Sequence, residues 1–263
     1  MFIYKDQLNN IIQLKDRPLR IISIVPSQSE FLWDIGLREE LIGITKFCVH
    51  PSIMHQSIVR VGGTKNLDLE KIRQLKPDLI IGNKEENDQL QIEALQKEFN
   101  VWMSDIYSFE DAFDMMQKLG EVINKEAEAK LILDQLKQSL SRIKKIFNKQ
   151  KVVYFIWNKP YMCAAKNTFI DSVLNYVGLE NALKHIERYP EIDANSLKSL
   201  KPDLCFLSSE PFPFKESHVA ELQKILPHSK ILIVDGEMFS WYGSRLLYLE
   251  SYMKNLPVRH MDR

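Results

Sequence analysis

Leu67-Asp68-Leu69-Glu70-Lys71-Ile72-Arg73-Gln74-Leu75-Lys76-Pro77-Asp78-Leu79 returns 125 residues later as Ile192-Asp193-Ala194-Asn195-Ser196-Leu197-Lys198-Ser199-Leu200-Lys201-Pro202-Asp203-Leu204. Each copy reads as a short amphipathic helix, a Lys-Pro-Asp stop and the start of a strand. The shared Leu-Lys-Pro-Asp-Leu alone could be chance, but the surrounding periodicity matches at the same offset. The chain is therefore expected to hold two similar α/β lobes.

The surrounding sequence repeats that pattern. Arg20 to Val25 is an apolar strand stopped by Pro26, and Ser27 with Glu30 three residues later reads as a capping box opening a helix through Phe31, Leu32 and Ile35. Strands follow at Leu41 to Ile44, Leu79 to Gly82 and Val101 to Met103, with helices at Leu69 to Leu75 and Leu90 to Phe99. The order restarts with strand Lys151 to Trp157, helix Phe169 to Tyr176, strand Leu204 to Leu207, helix Val219 to Leu226 and strand Lys230 to Val234. Strands alternating with helices predict parallel sheets. The expected fold is α/β, with two Rossmann-like lobes joined by one long backbone helix.

That joining segment lies between Phe109 and Asn148, which contains one Gly and no Pro. Val122, Ala129, Leu131, Ile132, Leu136, Leu140, Ile143 and Ile146 recur at helical spacing. Two long helices are expected, the second from Glu126 to Phe147. A helix of about 25 residues spans nearly 40 Å at about 1.5 Å per residue, enough to link two lobes. The lobes are placed at 1–121 and 150–263, with the linking helix at 122–149.

Composition excludes several classes. The 263 residues carry 35 Lys+Arg against 35 Asp+Glu, which leaves no electrostatic footprint for nucleic acid or an anionic membrane. Nothing in the sequence requires more than a monomer. No apolar run approaches the roughly 18 residues of a transmembrane helix. Cys48, Cys163 and Cys205 are three, with no C-x-x-C spacing, so disulfide scaffolds and structural zinc are not expected. The start, Met1-Phe2-Ile3-Tyr4-Lys5-Asp6, shows no basic-then-apolar leader; the protein is expected either to stay inside the cell or to have its leader outside this sequence. No G-x-S-x-G, H-E-x-x-H, G-x-x-x-x-G-K or G-x-G-x-x-G is found, so an enzyme is not expected and no catalytic residue or cofactor is assigned.

The chain resembles the helix-linked (class III) periplasmic binding proteins of ABC importers, specifically cobalamin and iron-siderophore receptors. The likeness runs from Arg20 to about Leu256. It is carried by Ile24-Val25-Pro26-Ser27-Gln28-Ser29-Glu30, Val61-Gly62-Gly63, Leu69-Glu70-Lys71-Ile72, Leu75-Lys76-Pro77-Asp78-Leu79-Ile80 and the single joining helix. Asp235-Gly236-Glu237-Met238-Phe239-Ser240-Trp241-Tyr242-Gly243-Ser244-Arg245 adds the second lobe. The resemblance implies a corrinoid or iron chelate held between the lobes, small lobe movement, an extracytoplasmic location and a membrane permease as partner. It also implies one docking Glu per lobe. Glu70 fills the first position, whereas the repeat puts Asn195 at the second, with Asp193 and Glu191 nearby as substitutes. The alternatives are an intracellular carrier of such chelates without transporter docking, or a tetrapyrrole-processing enzyme such as a chelatase.

Candidate contacts follow from the rule that ligands sit beyond the carboxyl ends of parallel strands. Pro26 to Ser29 offers helix-capping amides to an anion or is an ordinary cap. In the loop after Leu41 to Ile44, Phe47 offers a ring, His50 a hydrogen bond or metal ligand, and Cys48 a thiolate. Lys65 and Lys84 offer cations, while Glu85 and Glu86 also read as a solvated helix start. In the second lobe Trp157, Tyr161, Phe239, Trp241 and Tyr242 suit a flat, apolar corrin or catecholate face, with Trp102 and Phe47 doing likewise in the first. Arg245 is expected to clamp a carboxylate or phosphate, or else to pair with Asp235 or Glu237 and hold its loop.

Overall fold

A computed structural model describes residues 1–258, so the last five residues of the 150–263 lobe lie outside the described residues. The described chain forms two compact units. Residues 1–106, 110–136 and 242–245 make the first; residues 107–109, 137–241 and those from 246 onward make the second.

The first unit begins with an antiparallel hairpin, β1 (Phe2–Lys5) and β2 (Ile11–Leu14), which the alternation pattern did not predict. Its turn is closed by Asp6, whose carboxylate accepts from the Leu8 and Asn10 amides and, across the unit, from Met103 N–H. The main sheet consists of β3 (Ile21–Ser23), β4 (Leu41–Ile44), β5 (Val59–Arg60), β6 (Leu79–Asn83) and β7 (Val101–Ser104). They run parallel in the order β5-β4-β3-β6-β7. Helices α1 (Pro26–Asp34), α2 (Ser52–Ser57), α3 (Leu69–Leu75) and α4 (Gln89–Gln96) connect them. Ile22, Ile80, Val101 and Met103 pack with Ile72, Ile92 and Leu95 of α3 and α4. Each such aliphatic side chain contributes roughly 1.5–3 kcal/mol by leaving water.

The start of α1 corrects the capping-box reading. Pro26 occupies its first turn and Val25 is the N-cap, with no side-chain cap bond. Proline's fixed φ and missing N–H suit that place, which moves Ser27 inside the helix. Glu30 is engaged elsewhere, as described below.

Helices α5 (Phe109–Val122) and α6 (Glu126–Ser141) follow. The second helix is shorter than expected: its 16 residues reach about 24 Å at 1.5 Å per residue. Beyond Ser141 the chain turns, with Lys145 left-handed at φ 54. Lys145 and Phe147 then donate their amides to Tyr176 and Val177 carbonyls, replacing helical bonds with tertiary ones. Ile143, Ile146 and Phe147 are still buried, which is why periodicity alone extended the helix. The division between the units falls inside α6, after Leu136.

The second unit carries β8 (Lys151–Trp157), β9 (Met162–Ala164), β10 (Glu180–Asn181), β11 (Leu204–Ser208) and β12 (Lys230–Val234). Its parallel order is β10-β8-β11-β12, with β9 antiparallel on β8. Helices α7 (Phe169–Val177), α8 (Ala194–Leu200), α9 (Glu216–Ile225), α10 (Glu237–Ser240) and α11 (Leu249–Asn255) complete the set, with a 3₁₀ turn at Ser244–Tyr248.

The repeated cassette is the same structure twice. Asp68 caps α3 by accepting from Lys71 N–H, and Asp193 caps α8 by accepting from Asn195 and Ser196 N–H. Lys76 and Lys201 end these helices in the left-handed conformation, each at φ 47. The motif's Asp then clamps the neighbouring strand: Asp78 accepts from Leu19 and Arg20 N–H at 2.9 and 3.0 Å, and Asp203 from Lys151 N–H at 2.7 Å. Pro cannot continue the helix, and the carboxylate after it ties the emerging strand to β3 or β8.

Candidate functional site

In each main sheet the chain starts at a central strand, builds to one side and returns to the other. The order reverses between β3 and β6 in the first unit and between β8 and β11 in the second. Such reversals open crevices at the carboxyl ends of the strands.

In the first unit the loop after β4 carries Phe47, exposed, with the Lys46 ammonium 5.1 Å from its ring centre. His50 is half-buried in the same loop. Cys48 is not available as a thiolate: it is fully buried, bonds Thr45 and Ser29 hydroxyls at 3.2 Å, and burial raises its pKa. Lys65 lies after the Gly62-Gly63 turn. Gly62 is required there, because at φ +101 a Cβ would stand 2.5 Å from Asn66 O. The Lys65 ammonium caps the Glu85 and Asn87 carbonyls and so holds the loop beyond β6. Lys84 pairs with Asp105 at 2.7 Å. The Glu85 and Glu86 amides both donate to Asn83 Oδ1, so these residues form a capped turn. Trp102, expected to offer a ring, is fully buried in β7 and serves the core.

Residues 242–245 also belong to this unit, though their neighbours on both sides belong to the other. Tyr242 is buried, and burial pushes its phenol well up. Gly243, at φ +101, passes where a Cβ would lie 3.1 Å from Ser27 O. Ser244 donates to Asp34 Oδ2. Arg245 forms a two-pronged ion pair with Glu30, Nε to Oε2 at 2.8 Å and Nη2 to Oε1 at 2.7 Å. Glu30 is thus a partner that the sequence reading of Arg245 did not name. Burial holds the Glu30 carboxyl above the usual range against the pull of Arg245. Sequence reading had no signal for a pairing across 215 residues.

In the second unit Trp157 ends β8, 40% exposed, with the edge of Phe212 5.4 Å away. Tyr161 sets its ring edge-on to Phe155 at 5.8 Å. It also lines an open pocket of about 520 Å³ with Asn158, Lys159, Glu191 and Asp193. Phe212, Phe214 and His218 join these rings and were not anticipated. Glu210-Pro211-Phe212-Pro213-Phe214, directly beyond a strand, was the available signal. Phe239 is placed differently from expectation: fully buried, it packs on Tyr154, Phe206 and Tyr252 at 5.1, 5.8 and 6.1 Å, as a core residue of its unit. Trp241 is buried too, and its Nε1 donates to Glu210 Oε1 at 2.9 Å. Burial raises the Glu210 pKa, against hydrogen bonds from Ser240 and Trp241.

The expected docking residue Glu70 stands in the first turn of α3, 77% exposed and paired with Arg73. Asn195 holds the corresponding place in α8. Asp193 is already committed: it accepts from two amides and the Ser196 hydroxyl, which hold its pKa below the usual range. Among the described residues no three His, Cys, Asp or Glu converge as a metal site, and no helix is long and apolar enough to cross a membrane.

The family model described as periplasmic binding protein matches residues 21–228. An uncharacterised ABC transporter substrate-binding lipoprotein, YvrC of Bacillus subtilis, is 23% identical over 92% of this chain and 81% of its own length. A vitamin B12-binding protein of Vibrio parahaemolyticus is 25% identical over 72% of this chain and 70% of its own. Among solved structures, the periplasmic haem-binding protein HutB of Vibrio cholerae matches with a TM-score of 0.78 at 17% identity, covering 90% of this chain and 98% of its own. The vitamin B12-binding protein BtuF of the same species gives 0.72 at 21%, covering 90% and 97%. At such identities the solved structures show a shared fold.

Proposed function

The chain belongs to the periplasmic binding protein family, and from that premise we propose that it captures a corrinoid or iron chelate outside the cytoplasm and delivers it to an ABC importer. The observation that carries this reading is the aromatic patch of Trp157, Tyr161 and Phe212, set where the second unit's strand order reverses. Flat rings around an open crevice suit a broad, largely apolar ligand through stacking and area burial. Relatives that bear the names of vitamin B12- and haem-binding proteins support the same class. Phe47 and His50 are the first unit's contributors in this reading. Lys65 and Lys84 act mainly by fixing the loop on which a ligand would rest.

A calorimetric and visible-absorbance titration against cyanocobalamin, haemin and a panel of ferric siderophores tests it. One-to-one binding at micromolar affinity or tighter is expected for one of these. Silence across the whole set would refute the proposal.

Glu70→Ala should leave ligand affinity within about twofold, since an exposed ion pair is worth about 0–1 kcal/mol. It should lower importer-coupled uptake in reconstituted vesicles. A fall in ligand affinity would instead place Glu70 at the ligand. Asn195 favours a second reading, a chelate carrier that docks on no transporter, because a carboxylate is missing from that place in α8. Absence of importer-coupled uptake with the wild-type protein, with ligand binding intact, would favour it.

A further inference from the structure

We propose that the segment 210–218 of the second unit is a ligand subsite, in which Phe212 and Trp157 receive the flat face of the chelate and His218 donates a hydrogen bond to an oxygen on its rim. It rests on the chelate-binding reading above and assigns the ligand a further property: peripheral oxygen acceptors, such as carboxylates or carboxamides.

The geometry of His218 carries the inference. His218 Nδ1 lies 2.9 Å from the Lys215 amide nitrogen at the start of α9. A backbone amide can only donate, so Nδ1 is the acceptor and the neutral ring carries its single proton on Nε2. Coordinating a metal through Nε2 would move that proton to Nδ1 and break the helix-capping bond. Metal-ligating histidines show the reverse arrangement, their second nitrogen donating to an oxygen. His218 is therefore set as a donor and not as a metal ligand. Its ring is held at 5.2 and 5.5 Å from Phe212 and Phe214, edge to face, so the imidazole is locked beside the aromatic surface.

The location is independent support. Trp157 is the last residue of β8 and Phe212 lies beyond the carboxyl end of β11, the two strands between which the order reverses. Trp157 keeps 40% of its surface exposed and Phe212 and His218 are half-buried, although their neighbour Phe214 is enclosed.

Two substitutions separate the roles. His218→Asn keeps an oxygen at the Nδ1 position for the Lys215 amide but has no donor at Nε2. With cyanocobalamin and haemin as probes, it should melt at the wild-type temperature and weaken whichever one binds by about tenfold, the worth of one hydrogen bond. The metal-centred absorbance bands of the bound probe should not change. Phe212→Ala, outside the helix, should weaken binding by at least about tenfold through lost stacking. Wild-type affinity in both variants would overturn the subsite. Altered metal-centred bands in His218→Asn would overturn the donor role in favour of coordination. If the wild-type chain binds neither probe nor any ferric siderophore, the parent reading fails and this one falls with it.

Discussion

Replacing Arg245 with Met is expected to lower the stability of the protein by about 3–5 kcal/mol, the usual cost of leaving one half of a buried ion pair without its partner. Glu30 and Arg245 are 8% and 11% exposed and joined by two parallel hydrogen bonds, so water cannot take over the guanidinium's role. Urea denaturation at neutral pH reads the loss. Glu30→Gln combined with Arg245→Met should recover most of it, because no buried charge then lacks a counter-ion. The pH dependence has a definite sign. Burial raises the folded-state pKa of Glu30 above its unfolded value, so this group favours folding below the unfolded value and that contribution is lost as pH rises through the folded value. Removing Arg245 raises the folded pKa further. The penalty of the single variant should therefore shrink on acidification, as Glu30 takes a proton. A penalty that stays constant or grows between neutral and mildly acidic pH would show that charge burial is not its cause.

The second large effect concerns Phe239. Truncation to Ala should cost about 3–5 kcal/mol, the range for deleting a fully enclosed phenyl ring. Its ring is packed on Tyr154, Phe206 and Tyr252, and the cavity left behind has little means to collapse under a parallel sheet. Phe239→Leu preserves most of the volume and should cost less than half as much, with ligand affinity unchanged. A ligand-facing role would give the opposite result: near-normal melting of the Ala protein together with lost binding.

These two residues also mark where sequence reading succeeds and where it stops. Strand and helix alternation follows from local apolar period, so Leu41 to Ile44, Leu69 to Leu75 and Lys230 to Val234 were legible to the residue. The Lys-Pro-Asp cassette was legible because it is written twice. The end of α6 was not, since Ile143, Ile146 and Phe147 keep helical spacing while the Lys145 and Phe147 amides bond carbonyls at the end of α7. Aromatic residues beyond strands stand out in the sequence as a class, but burial separates them. Trp157 stays open whereas Phe239 and Trp241 close inward, and nothing local distinguishes the two cases. The partner of Arg245 was beyond reach for the same reason. Asp235 and Glu237 are close in sequence, whereas only tertiary structure brings Glu30 to the guanidinium.

The residence of residues 242–245 in the first unit has a consequence for how the polypeptide is made. A ribosome releases Glu30 long before Arg245, and at about 5–20 residues per second the 215 intervening residues take roughly 10–40 s. For that interval α1 has its carboxylate and the Ser27 turn but lacks the tyrosine, glycine and arginine that later cover them. The amino-terminal sheet can form early, yet its last pieces arrive only after β12 has been synthesised. Completion of the first-made half is thereby tied to the last-made stretch of chain. A truncated product ending before Tyr242 would leave the Glu30 carboxylate uncovered and without its Arg245 partner, a built-in mark of an unfinished molecule.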